Sequence, residues 1–423
     1  MVEIWKKMWR LMVSGTMRAS YLVVGGNGVS MGLATVFTVL AARWLGPEKW
    51  GLVAGVGSLV TILVAIGELG LGAGVLKFVS KSLGEGNRAE VKKTLSAIML
   101  GRLVSALGLG VLLFLLASPL SKLVVGESVP ELVYFAVLGL VGFLMLDFQI
   151  TVVEAEQRWG LAGGLYVLSN GLRLVLLIGL AATGWLSLGS VLAVFCGSAL
   201  LTFVVSLLWR SVEFSVTGGE WKRLYNLAGF SGWMAVNKIV STFNSRVDVL
   251  LLLPLAGAWE AGIYSAANRL ALGVPIILGG LATVLAQRFA TFGEKGQMRA
   301  FFGKAVMLAV LVSGGLILGI LVAPWVVSWF GPDYEPALPV LRWMFAAFIP
   351  FVMATPAVNA LIYGLNKQKV MALVTVAQLP VVVGLNWYLI PRIGVMAPVV
   401  AMGVVNLSMM VVAYGFVLKE IRR

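Results

Sequence analysis

Long apolar blocks alternate with short polar stretches along the whole chain. Each block holds at least about 18 residues, enough for a helix rising about 1.5 Å per residue to cross a hydrocarbon core of about 30 Å. The blocks are continuous rather than alternating, so they predict membrane-spanning helices and not the strands of a barrel. In the first half, spans are predicted at about residues 20–42, 52–76, 94–117, 132–153, 161–182 and 188–209. In the second they fall at about 227–253, 261–286, 305–329, 338–363, 371–390 and 395–418. The expected fold is an all-α polytopic membrane protein with twelve transmembrane helices. An N-terminal lobe, 1–210, and a C-terminal lobe, 227–423, hold six helices each, and 211–226, with Gly218-Gly219, reads as a cytoplasmic linker.

The pattern also repeats. Shifting residues 46–158 by 211 positions sets Gly46 on Gly257, Gly51 on Gly262, Lys77 on Arg288 and Phe78 on Phe289. The same shift sets Arg88 on Arg299, Lys93 on Lys304, Gln157 on Gln368 and Arg158 on Lys369. A twofold repeat in so apolar a chain points to a transporter made of two like halves. With six spans in each, both halves have the same orientation, a parallel repeat about an axis along the membrane normal.

Composition agrees with a lipid surrounding. Hydrophobic residues are 60% of the chain, charged residues 12%, and the mean hydropathy is +0.98. The net charge of +14 raises the question of nucleic acid, but the basic residues alternate with the spans instead of forming one face. With both termini cytoplasmic, the tails and inner loops hold 22 of the 32 basic residues and the outer loops four. This asymmetry is the positive-inside pattern of a multi-pass protein of the cell membrane. The start, Trp5-Lys6-Lys7-Met8-Trp9-Arg10, suits a segment lying on the inner surface and does not read as a signal peptide. Cys196 is the single cysteine, histidine is absent, and no phosphate-binding glycine loop or Cys/His ligand spacing occurs. The sequence therefore predicts neither an enzyme nor a metal or cofactor site.

Six basic residues fall inside predicted spans: Arg102, Arg173, Lys238, Arg246, Arg269 and Arg342. Three acids join them: Glu68, Asp147 and Asp248. A charge at mid-bilayer costs about 2.5–3.5 kcal/mol on insertion scales, so these groups should face the bundle interior or water. The excess of positive charge suits an anionic substrate. Arg173 and Lys238 each lie about 18 Å into their helices, near the midplane, and Arg246 and Arg269 roughly 10–12 Å from the outer end. Asp248 with Arg269, and Glu68 with Arg102, are candidate ion pairs, which could either couple to an ion or simply lock helices together. Lys238 and Arg173 have no evident partner in the sequence, which favours a substrate as the source of their counter-charge.

Several short motifs carry a resemblance. Ala41-Ala42-Arg43-Trp44-Leu45-Gly46-Pro47-Glu48-Lys49-Trp50-Gly51-Leu52 resembles the first outer turn of polysaccharide and O-antigen flippases. These belong to the multidrug/oligosaccharidyl-lipid/polysaccharide exporter superfamily. Glu68-Leu69-Gly70-Leu71-Gly72 looks like the continuation of that pattern, and Ser245-Arg246-Val247-Asp248-Val249-Leu250 resembles the seventh-helix signature. Ala261-Gly262-Ile263-Tyr264-Ser265-Ala266-Ala267-Asn268-Arg269-Leu270 resembles the eighth, and Phe330-Gly331-Pro332-Asp333-Tyr334 and Tyr363-Gly364-Leu365-Asn366-Lys367 also fit.

The resemblance implies two six-helix lobes in a V, with a central cavity that opens alternately to either side. It implies a polyprenyl-pyrophosphate-linked oligosaccharide as substrate, bound by Lys238, Arg246, Arg269 and Arg173. It leaves Asp248, Glu68, Asp147 and Arg102 for ion coupling or salt bridges. A monomer in the lipid bilayer, with glycan polymerase or assembly proteins as possible partners and no nucleic acid, is expected. The first span carries no acid, unlike many multidrug exporters, and twelve spans differ from the fourteen usual in peptidoglycan-precursor flippases; both favour the polysaccharide branch. Two alternatives stay open: a cation-coupled drug exporter of the same superfamily, which should show an acid-lined cavity, and a non-transporting partner of a glycan synthase.

Overall fold

The structure is a computed structural model and describes residues 15–209, 218–290 and 295–422. The basic aromatic start, Arg210 and residues 211–217 of the expected linker lie outside the described residues. The described residues are helical throughout, joined by short turns. Among them, nine stretches are long and apolar enough to cross a membrane, and a bent pair, Met234–Asn244 with Val247–Ala256, brings a tenth.

The chain forms two compact units, residues 1–41 with 55–246 and residues 42–54 with 247–423. The first element, α1 (Gly15–Gly67), is two helices joined by a kink at Gly46 and contributes to both.

In the first unit α1 ends at Gly67, where Leu69 and Gly70 take left-handed backbone angles (φ 54° and 68°). Such angles are uncommon for a leucine and stop the helix. The Ser105 hydroxyl donates to the freed Gly67 carbonyl at 2.6 Å, so this buried helix end is satisfied. The chain restarts as α2 (Leu71–Gly74), passes a π-helical turn (Val75–Val79) and closes with α3 (Ser80–Gly84). Asn87 then caps α4 (Arg88–Leu115), its side chain accepting from the Glu90 N–H at 3.1 Å. A short α5 (Ala117–Val125) stops at left-handed Gly126, and Pro130 opens α6 (Pro130–Ala155). α7 (Trp159–Ala182), α8 (Leu188–Trp209) and α9 (Glu220–Asn244) complete the unit, which runs on through Arg246. α6 is its central element, packing on α4, α5, α7 and α8 with Leu140, Leu144, Phe148 and Val152 fully buried.

The second unit contains α10 (Val247–Ala256), α11 (Ala258–Ala271), α12 (Gly273–Ala290), α13 (Lys295–Val327), α14 (Ala337–Asn359), α15 (Gln368–Ile393) and α16 (Ala397–Arg422). Here α14 is central and packs on α11, α12, α13 and α16. Phe289, Phe302, Leu361 and Val417 form one buried cluster. Lipid tails are as apolar as leucine, so polar groups help bind membrane helices to each other. Accordingly, Asn406 donates to the Ala347 carbonyl at 2.9 Å and Gln378 to that of Val405 at 3.1 Å.

Two turns 211 residues apart share one backbone conformation: Gly46 has φ 78°, ψ 165° and Gly257 φ 97°, ψ 169°. That region is open essentially to glycine alone. Five residues after each turn stands another glycine. A Cβ on Gly51 would lie 1.8 Å from the Ala258 carbonyl oxygen, and one on Gly262 would lie 1.8 Å from that of Pro47. The two helix starts therefore touch backbone to backbone within the second unit. Nearby, the buried Tyr334 hydroxyl donates to the Ala42 carbonyl at 3.1 Å. Burial, with the adjacent Asp333 charge, pushes this phenol above its ordinary range, so it stays an O–H donor.

Gly262→Ala is expected to cost about 1–3 kcal/mol, the usual price of overpacking, and to lower the thermal midpoint of the detergent-purified protein. Gly315→Ala, whose added methyl meets nothing within 4 Å, is expected to leave it unchanged.

Candidate functional site

The first unit gathers four of the intramembrane charges into one network. Glu68 sits at the break after α1, Arg102 on α4, Asp147 on α6 and Lys238 on α9. Leu144, Asp147 and Phe148 share a face of α6, by the three-to-four-residue spacing of a helix, and all three meet the Arg102 guanidinium. Nη1 lies 2.9 Å from Asp147 Oδ2 and donates to the Leu144 carbonyl at 2.8 Å. Nη2 lies 3.6 Å from Glu68 Oε1, and the guanidinium stands 5.5 Å from the centre of the Phe148 ring. Glu68 Oε1 also accepts the Gly72 N–H at 2.5 Å, and Glu68 Oε2 lies 2.9 Å from Lys238 Nζ.

Two cations and two carboxylates thus offset each other. Arg102 has no exposed surface and Glu68 only 2%, whereas the Lys238 side chain is 44% exposed. Isolated, either buried charge would be prohibitive; here each is paired and holds one hydrogen bond, while Arg102 Nε and Nη2 and Glu68 Oε2 are buried without one. The expected Glu68–Arg102 pairing is present in this network. The expectation that Lys238 lacks a partner is not met. Position along a helix gives depth but not which neighbour a side chain reaches, and here Gly70 lets α9 come within backbone contact of the Glu68 turn.

Arg173, on α7, has a different set of partners. Its Nε donates to Ser198 Oγ at 3.2 Å and its Nη1 to Asn170 Oδ1 at 3.4 Å. Phe195, Phe37 and Phe143 surround the guanidinium at 4.6, 5.5 and 5.6 Å from their ring centres. Cation–π attraction strengthens in such desolvated surroundings. These rings, and Ser198 and Asn170, are absent from the sequence-level site. The one legible hint is Asn170, three residues before Arg173 on the same face of an otherwise apolar helix.

In the second unit Asp248 opens α10 and accepts from the Tyr264 hydroxyl and from the Val249 N–H, the latter at 2.8 Å. Tyr264 is buried and belongs to the same motif as half-buried Arg269. Arg246, the last residue of the first unit, is also half-buried, and its Nε is shielded with no hydrogen-bond partner. Arg342 is exposed near the start of α14.

The polysaccharide biosynthesis protein family matches this chain over residues 18–292. The chain belongs to that family. The family read from the motifs is thus borne out as a polysaccharide biosynthesis family. The succinoglycan biosynthesis transport protein ExoT of Rhizobium meliloti (strain 1021) is 27% identical over 343 residues, 78% of this chain and 64% of that protein. A putative O-antigen transporter of Shigella flexneri is 23% identical over 206 residues, 48% of this chain and 49% of that protein. The chain thus spans less than two thirds of the length of either relative. In fold, the lipid II flippase MurJ in its inward closed conformation superposes with a TM-score of 0.74 at 12% identity, over 94% of this chain and 87% of that one.

Arg102→Ala is expected to destabilise the protein by about 3–5 kcal/mol, since it strands buried carboxylate charge. The readout is loss of monodisperse protein on detergent extraction, with Arg342→Ala behaving as wild type.

Proposed function

We propose that this chain moves a polyprenyl-pyrophosphate-linked oligosaccharide from the cytoplasmic to the outer leaflet of the inner membrane, as a step in cell-surface polysaccharide assembly. The carrying observation is the sign of the charge within the spans, six basic residues against three acidic. The Glu68–Arg102–Asp147–Lys238 network balances two against two. Within the predicted spans the remaining Arg173, Arg246, Arg269 and Arg342 outnumber Asp248, and surplus positive charge in a medium of low dielectric favours an anion. An acid-rich interior, as a carrier of cationic drugs would need, has the opposite sign. The names of the succinoglycan and O-antigen relatives, and the fold shared with a lipid II flippase, fit the same reading.

The architecture proposed with it has twelve crossings in two six-helix lobes, 1–210 and 227–423, joined by the cytoplasmic linker 211–226. Of the nine apolar stretches, Gly25–Gly67 and Gln368–Glu420 are 43 and 53 residues long. A crossing needs about 20 residues, so each is long enough for two. Counting them so, with the bent pair, gives twelve. The matching turns at Gly46 and Gly257 support the parallel repeat.

In this mechanism Arg269, Arg246, Lys238 and Arg173 are the cations proposed to meet the pyrophosphate. The lipid tail stays in the bilayer while the lobes rock and expose the headgroup outside. The membrane potential or a cation gradient supplies the energy, with Glu68, Asp147 and Asp248 as the carboxylates available for coupling. The protein works as a monomer, both termini cytoplasmic, and passes its product to glycan-assembly proteins.

The test is a proteoliposome assay with a fluorescent polyprenyl-pyrophosphate oligosaccharide and a membrane-impermeant quencher. Wild type is expected to abolish protection of the inner-leaflet dye, and Arg269→Ala to slow this about tenfold or more, as for loss of a charged contact. Full activity of both Arg269→Ala and Lys238→Ala would overturn the site. Failure to flip several glycans, with uptake of a small cation instead, would overturn the substrate.

A further inference from the structure

Lys238 has two claims on its charge: the Glu68 carboxylate that holds it in this structure and the anionic headgroup just proposed. From the geometry we infer that the two are exclusive, so that Lys238 is a latch which the pyrophosphate group opens by taking the ammonium from Glu68. The inference rests on the flippase reading for the identity of the anion.

Three observations carry it. The first is the difference in exposure between the two cations that share Glu68. Arg102 has no exposed surface, whereas the Lys238 side chain is 44% exposed with its Nζ 2.9 Å from Glu68 Oε2. An entering anion meets Lys238 and not Arg102. Lysine carries a point charge on a flexible stem and changes partner by rotamer alone, which the forked Arg102 contact with both Glu68 and Asp147 does not allow.

The second is what Glu68 keeps when Lys238 leaves. Its Oε1 retains the Gly72 N–H at 2.5 Å and Arg102 Nη2 at 3.6 Å, so the carboxylate remains held. Removing Arg102 instead would leave both Glu68 and Asp147 without it. Parting from Lys238 leaves Glu68 Oε2 buried without a partner, yet it costs less than parting from Arg102, which would leave two carboxylates facing Lys238 alone.

The third is how α9 is mounted. Ser231, Ala235 and Lys238 recur at the spacing of one helix face and turn toward the Glu68 break. A Cβ on Gly70 would lie 2.1 Å from the Ser231 carbonyl oxygen and 2.7 Å from the Ala235 nitrogen. The backbone of α9 is therefore seated at Ala235, one turn before Lys238. Exchange of the ammonium removes the tie beyond that seat and leaves the seat in place, so occupancy by the anion loosens the α9 end that leads to Arg246.

The test has two readouts on the full-length purified chain. The first is affinity for inorganic pyrophosphate. Glu68→Gln removes the competing carboxylate charge and is expected to tighten binding about two- to fivefold, the scale of a partly exposed ion pair. The gain should vanish in Glu68→Gln/Lys238→Gln. The second uses the unmutated protein, so it does not depend on the variant folding. A membrane-permeant carbodiimide should join the Glu68 carboxyl to the Lys238 amine as an amide, detected by mass spectrometry. Inorganic pyrophosphate should suppress that cross-link over the concentration range in which it binds. Unchanged or weaker affinity in folded Glu68→Gln, or a cross-link that saturating pyrophosphate leaves intact, would overturn the latch. Suppression of the cross-link in a protein that flips no polyprenyl-pyrophosphate glycan would sustain the latch and overturn the flippase reading. Flipping with an unaffected cross-link would do the reverse.

Discussion

A guanidinium with no exposed surface, that of Arg102, sets the conditions the first unit has to meet. Held in a low dielectric, it requires negative charge and acceptors at short range, and it takes them from three directions: Glu68, Asp147 and the Leu144 carbonyl. Those partners lie on the break after α1 and on α6, so the charge requirement is also a packing requirement. Glu68 in turn draws in Lys238 and thus α9. The helix break that places Glu68 depends on Leu69 and Gly70 in left-handed conformation, and the same Gly70 admits the α9 backbone. Electrostatics and chain geometry are therefore one problem here, solved at one place.

The second unit has a different organising feature. Two glycine turns in the same backbone conformation bring Gly51 and Gly262 into reciprocal contact, with no side chain between them. Membrane helices lack the hydrophobic drive that brings helices together in water, and close approach through small residues takes its place. Tyr334, buried and donating to the Ala42 carbonyl, fastens a further turn to the same region. Charged residues play a smaller part in this contact, whereas in the first unit they are its centre.

Much of this was legible in the sequence because membrane solvent imposes coarse rules. Continuous apolar blocks gave the helical membrane class, and the motifs around Gly46, Glu68 and Arg269 gave the family. The Glu68–Arg102 pair was legible as well, since both residues lie at similar depth and carry opposite charge. Lys238 was misread as lacking a partner for a physical reason: depth follows from counting 1.5 Å per residue, but the face on which a side chain emerges, and which helix stands opposite, depend on packing. The rings around Arg173 were invisible for the same cause, because Phe37, Phe143 and Phe195 come from three helices and look like ordinary lipid-compatible residues in the sequence. Where a helix breaks at a residue other than proline, as at Leu69, local sequence gives little warning beyond the adjacent glycine.

The central claim is that surplus positive charge within the spans selects an anionic headgroup. It is tested most directly by comparing two lipids that share one glycan and one polyprenyl chain, one joined through pyrophosphate and the other through a neutral linkage. Their flipping rates would be measured side by side in the same proteoliposomes. The account requires rapid movement of the pyrophosphate lipid and little or none of the neutral one. Equal rates for both would contradict it, and would mean that the buried cations serve the fold alone.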